Sequence, residues 1–335
     1  MHRMPRRLIG ASLTVAALLA AAGCSADDSA DAAGTGTSGA GGWEFTDDMG
    51  NTVELDATPT RVAGLNDVVA SLWNYGIEPV AAFGQTSAED DVAFDGKDLG
   101  DLEILGESYG QIDLERLAAA DPDVVVTSVY PTDSAGTLDQ TQPLYGFESI
   151  EQQEQVAEIA PVIAIAYRGS AADVIERTVE LAESLGADGD VIDAAREDFD
   201  AASQTLSAAA ESGVTVLPVY ATVADGWWMN KAADDPSLRL YQELGVRFVD
   251  PGGDGYFWES VGWEEVPDHP SDVILYSLRF SMTPEEIAAQ PTAALLPAVQ
   301  AGQLYPWKYI GMDHGAQAAY MEELAGYLAQ ARKVA

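Results

Sequence analysis

Short apolar stretches alternate with longer amphipathic stretches over most of this chain. Strand-like runs at 79–83 and 162–165 each follow a helix-like run, at 67–75 and 150–159 respectively. Short strands separated by helices of about ten residues are typical of parallel sheets covered by helices. The alternation resumes after Gly213 and continues almost to the end of the chain. The pattern therefore predicts an α/β protein with two series of strands.

A long stretch without any strand pattern separates the two series. Glycines at 186 and 189 interrupt one helical pattern, and an alanine-rich run then extends from Val191 to Ala210. As an α-helix, at 1.5 Å per residue, that run would span roughly 30 Å. We predict two Rossmann-like lobes joined by one long helix, with a ligand cleft between them. The predicted ranges are 43–187 for the N-terminal lobe, 188–211 for the interlobe helix and 212–335 for the C-terminal lobe.

One internal similarity supports two related halves. Glu115, Asp123-Val124-Val125-Val126 and Ser128 correspond, at identical intervals, to Glu264, Asp272-Val273-Ile274-Leu275 and Ser277. A helix followed by a strand is a common unit, so a chance match is the alternative. If the similarity is real, each lobe presents an equivalent glutamate.

The first residues have the pattern of an export signal. Basic residues from Arg3 to Arg7 precede an apolar run from Leu8 to Ala22, which is shorter than the roughly 20 residues of a membrane-spanning helix. Cys24 follows Ala-Gly and is the only cysteine. We predict a signal peptide over 1–23, lipidation of Cys24, and a flexible tether over 24–42 that lacks large apolar residues before Trp43. An ordinary secretory signal is the alternative.

The charge of the chain excludes one class of partner. The formal net charge is −39 and the sequence pI is about 4.1. Such a surface does not bind nucleic acid or anionic lipid through electrostatics. The acidity fits a saline habitat equally well. With a single cysteine the folded part has no disulfide, so burial of apolar side chains must stabilise it.

Several segments together resemble a family of bacterial lipoproteins. The segments are Asp48-x-Gly50 with Arg61-Val62, the stretch from Glu115 to Val126, and 296–305 (LPAVQAGQLY). They occur in the order found in the substrate-binding proteins of ABC importers for ferric siderophores, haem and cobalamin. The resemblance implies two α/β lobes, one rigid bridging helix, a shallow cleft and little hinge closure. It also implies a lipid-anchored monomer on the extracytoplasmic face of the cell membrane.

The resemblance implies a bulky iron chelate as ligand. Aromatic side chains would pack on its apolar frame, and guanidinium groups would bind its oxygens. The expected walls are Tyr130, Trp227, Trp228 and Trp307, and the expected oxygen contacts are Arg168 and Arg279. Core packing is the alternative for each aromatic residue, and a surface ion pair for each arginine. With so few cations, the cleft favours a neutral or cationic hydroxamate complex over a triply negative catecholate. Cobalamin and then haem are the next candidates.

The resemblance also implies a role for one glutamate on each lobe. In this family such glutamates bind arginines of the permease dimer, which works with its ATPase. The corresponding residues here are Glu115 and Glu264, and Glu265 is the alternative for the second. Two carboxylates far apart on one face would fix the orientation of docking as well as its affinity.

Direct metal binding and catalysis have little support in the sequence. After the leader only His269 and His314 remain, whereas a zinc or manganese site usually needs several histidines with carboxylates. His314 is the histidine candidate for a haem ligand. No nucleophile elbow or phosphate loop is found, and 252–255 is interpreted as an ordinary glycine-rich loop. We expect no enzyme, no cofactor and no metal site. A glycoside hydrolase and a structural surface lipoprotein are the alternatives from other classes.

Overall fold

The strands of this protein form two separate sheets and one hairpin. The computed structural model describes residues 42–279, 281–309 and 311–335. The predicted signal peptide, Cys24 and all but the last residue of the predicted tether lie outside the described residues.

The N-terminal lobe is a five-stranded parallel sheet preceded by a hairpin. Its strands are β1 (Trp43–Thr46), β2 (Thr52–Leu55), β3 (Val62–Leu65), β4 (Ala81–Phe83), β5 (Glu103–Ile104), β6 (Val124–Val129) and β7 (Val162–Ala166). β1 and β2 pair antiparallel, and the sheet has the order β5-β4-β3-β6-β7. The helices are α1 (Asn66–Asn74), α2 (Leu114–Ala119), α3 (Ile150–Ile159) and α4 (Ala171–Ser184). Every residue of β3 and β6 is buried, as expected for central parallel strands with both faces covered.

The C-terminal lobe has a six-stranded mixed sheet. Its strands are β8 (Thr215–Thr222), β9 (Gly226–Asn230), β10 (Arg247–Phe248), β11 (Trp258–Val261), β12 (Val273–Ser277) and β13 (Leu304–Trp307). The order is β11-β9-β8-β12-β13, with β10 also pairing with β8. β8, β12 and β13 are parallel, whereas β9 and β11 add an antiparallel edge. Its short helices are α6 (Pro236–Glu243), α7 (Pro284–Ala289) and α8 (Pro297–Gln300).

One long helix connects the lobes. α5 covers Gly189–Ala210, and the side chain of Asp188 caps it by accepting a hydrogen bond from the N–H of Asp190. Its 22 residues correspond to about 33 Å of helix. The predicted fold class, two α/β lobes joined by one long helix with a cleft between them, is confirmed.

A second helix contacts both lobes. α9 (His314–Gln330) starts on the N-terminal lobe, where the Nδ2 of Asn74 donates to the Oδ1 of Asp313 over 3.1 Å. It packs along α5, and the N–H of Arg332 then donates to the Oε1 of Gln303 beside β13. The predicted range 212–335 thus contains a helix that begins against the other lobe. α9 therefore reinforces the connection that α5 makes.

The apolar core is continuous from one lobe into the other. One cluster of buried side chains includes both faces of the first sheet, α5, α9 and one face of the second sheet. A separate cluster, which includes Trp227 and Met229, covers the opposite face of the second sheet. Because the shared core would have to be exposed by a hinge motion, the arrangement favours a nearly fixed separation of the lobes.

The internal similarity of the sequence has a structural counterpart. The Oδ2 of Asp123 accepts a hydrogen bond from the N–H of Thr60 over 2.7 Å, and the Oδ2 of Asp272 accepts one from the N–H of Thr215 over 2.8 Å. Each aspartate precedes a central strand and binds the start of the neighbouring strand. The two halves therefore use the same link between adjacent strands.

Across the described ranges, none of the helices combines the length and the hydropathy that a membrane span requires.

Candidate functional site

An aromatic cleft lies between the two lobes. Its cavity has a volume of about 390 Å³. The N-terminal lobe contributes Gln85, Tyr130, Pro131 and Tyr145, and the C-terminal part of the chain contributes Tyr220, Tyr256, Phe257, Trp258, Ser277, Arg279 and Tyr309. Several of these residues follow the carboxyl ends of parallel strands, where open α/β sheets bind their ligands. The size and the lining are typical of a site for an organic molecule with a large apolar surface.

The aromatic rings of the two lobes meet across the cleft. Tyr130 follows β6 and packs edge-to-face on Tyr145 with ring centroids 5.0 Å apart. On the other side it approaches Phe257 at 5.9 Å and 87°. Phe257 in turn lies 6.0 Å from Trp258, at the start of β11. These contacts give a continuous aromatic surface from one lobe to the other.

Phe257 has a backbone conformation that is unusual for a bulky residue. Its φ is 65°, in the left-handed region. Two hydrogen bonds hold it: its N–H donates to the Oδ2 of Asp234 over 3.1 Å, and its carbonyl accepts from the N–H of Lys231 over 2.9 Å. Such outliers persist where the surrounding structure imposes them, and they cluster at binding sites.

A buried ion cluster links the lobes at the base of the cleft. Arg279, which follows β12, binds Asp67 of α1 through Nη2 to Oδ1 at 2.5 Å and Nη1 to Oδ2 at 3.3 Å. Its Nη2 also lies 3.2 Å from the Oδ1 of Asp91, whose Oδ2 accepts from the Nδ2 of Asn66 over 3.1 Å. The guanidinium lies 5.2 Å from the ring centroid of Tyr309. One positive charge therefore faces two carboxylates.

Burial and charge act in opposite directions on this cluster. Burial raises the pKa of Asp67, although Arg279 lowers it. Burial lowers the pKa of Arg279, but the charges of Asp67 and Asp91 outweigh that effect and raise it well above its usual value. The guanidinium is thus always charged, and its charge is already balanced before any ligand arrives.

Two of the predicted ligand residues line the cavity, and a third supports it. Tyr130 and Arg279 are lining residues. Trp307 is 2% exposed and lies under the cleft, where it packs on Tyr309 at 4.7 Å and on Trp258 at 5.9 Å. Its ring holds two lining rings in position and does not form the predicted wall itself.

The other three predicted ligand residues lie elsewhere. Trp227 is fully buried and packs on Trp263 at 5.8 Å, on the sheet face away from α5. Trp228 is half-buried on the opposite face of β9, and its Nε1 donates to the carbonyl of Asp225 over 3.0 Å. Neighbouring residues of a strand point to opposite faces, so the pair cannot form one wall. Arg168 is exposed and does not line the cavity.

The predicted docking glutamates and the histidines lie outside the cavity. Glu115 is exposed in the first turn of α2, and Glu264 is exposed in a turn before a short 3₁₀ helix. His314 is buried at the start of α9, with its Nδ1 2.8 Å from the hydroxyl of Tyr75. That position is unsuitable for a haem ligand in the cleft. His269 ends the 3₁₀ helix. Within the described ranges, no group of three or more His, Cys, Asp or Glu side chains is arranged to hold a metal ion.

Some lining residues had no counterpart among the predicted ones. Tyr256, Phe257 and Trp258 follow the glycine-rich segment 252–255, which its sequence alone indicated to be an ordinary loop. Three consecutive aromatic residues after such a loop are the signal that could have identified them. Tyr145 and Tyr220 carry no comparable signal, because single tyrosines between elements are common.

Comparisons with known proteins agree with this geometry. The family model described as "Periplasmic binding protein" matches residues 67–309. The crystal structure of DesE, a ferric-siderophore receptor protein from Streptomyces coelicolor, is similar at 32% identity and a TM-score of 0.77, over 88% of this chain and 100% of DesE. No match was found among curated proteins.

Two more distant structures share the fold. FhuD from Vibrio cholerae, solved with Fe³⁺-Desferal, has 18% identity and a TM-score of 0.61, over 81% of this chain and 98% of FhuD. The siderophore periplasmic binding protein from the fuscachelin gene cluster of Thermobifida fusca has 22% identity and a TM-score of 0.59, over 81% and 96%. Because the family model spans both lobes and the relative at 32% identity is matched over its whole length, this chain belongs to the periplasmic binding protein family, as its sequence motifs predicted.

Proposed function

We propose that this protein captures a ferric siderophore of the hydroxamate type outside the cytoplasmic membrane and delivers it to an ABC permease. The observation that carries the proposal is the cleft itself: an aromatic cavity of about 390 Å³ whose arginine is already neutralised by Asp67 and Asp91. Such a site offers shape, apolar surface and a few hydrogen bonds, and it offers no excess of positive charge.

The charge of the cleft discriminates between classes of iron chelate. Three hydroxamates bound to Fe³⁺ give a neutral complex, whereas three catecholates give a complex of charge −3. A triply negative ligand would have to approach Asp67 and Asp91 with only one guanidinium to offset them. At low effective dielectric that repulsion is worth several kcal/mol. A neutral or cationic complex avoids it.

The lining residues have complementary roles in holding such a complex. Tyr130, Phe257 and Trp258 provide faces for the methylene chains and the apolar frame of the chelator. The guanidinium of Arg279 is a donor for the hydroxamate oxygens. The chelator keeps all six oxygens on the iron, so the protein needs no metal ligand of its own. The ferric-siderophore receptor DesE and the Desferal-bound FhuD support this choice of ligand class.

Delivery would use the outer surfaces of both lobes. Glu115 and Glu264 are exposed and occupy corresponding positions before Asp123 and Asp272, which make the same strand-linking hydrogen bonds. A pair of carboxylates at related positions on two rigidly connected lobes suits a permease dimer that presents two arginine sites. Lipidation of Cys24 would keep the receptor near the permease.

Titration of the intrinsic tryptophan fluorescence tests the ligand class. The panel is a neutral ferric trihydroxamate, a ferric tris-catecholate and cyanocobalamin. We expect the trihydroxamate to quench the fluorescence with a Kd of about 1 μM or below, and the tris-catecholate to bind at least about a hundredfold more weakly. If cobalamin binds tightly and no ferric complex changes the fluorescence, the proposed ligand is wrong and cobalamin takes its place.

A further inference from the structure

A smaller cavity adjoins the ligand cleft at its base. Its volume is about 20 Å³, which is room for roughly one water-sized group. Tyr130, Phe257 and Tyr309 line both this cavity and the cleft, so their side chains form the partition between the two spaces. Asp67 contributes to the remaining wall from the N-terminal lobe, and Asp235 from the C-terminal lobe. We call this space the inner cavity.

Asp235 places a buried carboxylate at the inner cavity without a cationic partner. The residue is 4% exposed and caps α6: its Oδ1 accepts from the N–H of Leu238 over 3.1 Å, and its Oδ2 accepts from the Nδ2 of Asn230 over 3.3 Å. Across the described ranges no lysine or arginine pairs with it. Burial raises its pKa to about 6, although these hydrogen bonds lower it. Its two oxygens have remaining lone pairs that a further donor can use.

Tyr167 and Asp67 add further hydrogen-bond acceptors to the inner cavity. Tyr167 is 3% exposed and lines this cavity, and its hydroxyl makes no hydrogen bond to any residue that the structure describes. Asp67 brings a second carboxylate, which it shares with Arg279. Lys308 lines the cavity as well, but its Nζ is bound to Glu323 at 2.5 Å. The cavity therefore offers negative charge and oxygen atoms without a free cation among the described residues.

We propose that the inner cavity is a subsite for the alkylammonium end of a ligand arm. An ammonium has three N–H donors and no acceptor, which matches the carboxylates of Asp235 and Asp67 and the hydroxyl of Tyr167. Tyrosine and phenylalanine faces around a small space favour a cation further. Charge balance also improves, since Asp235 gains the positive partner that it lacks in the free protein.

Phe257 is the residue that would admit the arm. It is part of the partition, its backbone has a φ of 65°, and the segment before it contains Gly252 and Gly253, both at a φ of 71°. A left-handed backbone at a bulky residue costs about 1–3 kcal/mol. A rearrangement that lets Phe257 leave this conformation releases that strain, and the release offsets part of the free energy that the rearrangement requires. The ring then moves away from Tyr130 and opens the partition.

This inference rests on the proposed function, and one experiment separates the two. The probes are two ferric complexes of the same linear trihydroxamate, one with a free terminal amine and one with that amine acetylated. Calorimetric titration at pH 7.5 measures both affinities for the wild type and for Asp235→Asn, Tyr167→Phe and Asp254→Asn. Asparagine also caps helices well, so Asp235→Asn should keep α6 intact. Asp254 is exposed on the loop before Phe257 and is the matched control.

We expect the wild type and Asp254→Asn to bind the amine complex about tenfold or more tightly than the acetylated one. Asp235→Asn should remove that preference by weakening only the amine complex, and Tyr167→Phe should reduce it. Tight and equal binding of both complexes by the wild type would overturn the subsite and leave the proposed function standing. If neither complex binds, the proposed function fails and the subsite with it.

Discussion

Replacement of Arg279 by glutamine tests the ion cluster that joins the lobes. The change leaves Asp67 and Asp91, which are 6% and 5% exposed, as two buried carboxylates without a cation. The guanidinium itself is only 14% exposed, so solvent screens the pairs little. Loss of one partner of a buried ion pair costs about 3–5 kcal/mol. We therefore expect Arg279→Gln to lose about that much free energy of unfolding at pH 7, measured by urea denaturation.

The loss should depend on pH in a defined direction. Burial raises the pKa of Asp67 even with Arg279 present, and removal of the guanidinium raises it further. A raised pKa in the folded state means that folding favours the protonated form of Asp67. The free-energy cost of burying the ionised form is therefore absent below the pKa of Asp67 in the unfolded chain, and it grows as the pH rises. The deficit of Arg279→Gln relative to the wild type should thus be smaller at pH 4.5 than at pH 7.

Arg116→Gln is the control for this prediction. Arg116 lies 3.4 Å from Glu103, but the two side chains are 58% and 43% exposed. An exposed pair of this kind contributes at most about 1 kcal/mol. If Arg279→Gln costs no more than Arg116→Gln at pH 7, or if its cost is the same at pH 4.5, the cluster does not stabilise the fold as we describe.

Three further predictions concern Asp235, the tryptophans of the second lobe and the two exposed glutamates. Burial raises the pKa of Asp235 to about 6, so ionisation of this carboxyl destabilises the wild type as the pH rises. The free energy of unfolding of Asp235→Asn should therefore increase relative to that of the wild type by up to about 3 kcal/mol between pH 4 and pH 8. If urea denaturation gives the same difference between the two proteins at both pH values, this prediction is wrong. Trp227→Ala should lower the free energy of unfolding by about 3–5 kcal/mol and leave the siderophore affinity unchanged. Trp258→Ala should lower the free energy of siderophore binding, measured by titration, by more than it lowers the free energy of unfolding. Reversal of charge in Glu115→Arg with Glu264→Arg should abolish uptake of the iron complex by cells while the purified receptor keeps its affinity; normal uptake would refute the docking role.

The sequence contained enough information for the architecture. Alternation of short apolar runs with amphipathic ones predicted both sheets, and the uninterrupted run to Ala210 predicted α5. The second connection, α9, was not predicted as such. Its periodicity identifies a helix, but only the tertiary contact of Asp313 with Asn74 shows that it starts on the other lobe.

The site was predictable at the level of strand ends and much less at the level of side chains. Tyr130 directly follows β6 and Arg279 lies two residues after β12, so their places at strand ends, together with the family resemblance, pointed to the cleft. Trp227 and Trp228 were both predicted as cleft walls, but they lie within β9, where strand geometry points them to opposite faces. The pairing of Arg279 with Asp67 joins residues more than 200 positions apart, and no local pattern marks such a contact.

The position of the iron in a crystal of the complex tests the central claim most directly. Crystals grown with a ferric trihydroxamate can be measured at the iron absorption edge, and the anomalous signal locates the metal independently of any fitted ligand. We expect one strong peak between the lobes, bounded by Tyr130, Trp258 and Arg279, with both lobes still packed on α5 and α9. A peak outside this cleft, or lobes swung apart about α5 and α9, would contradict the account.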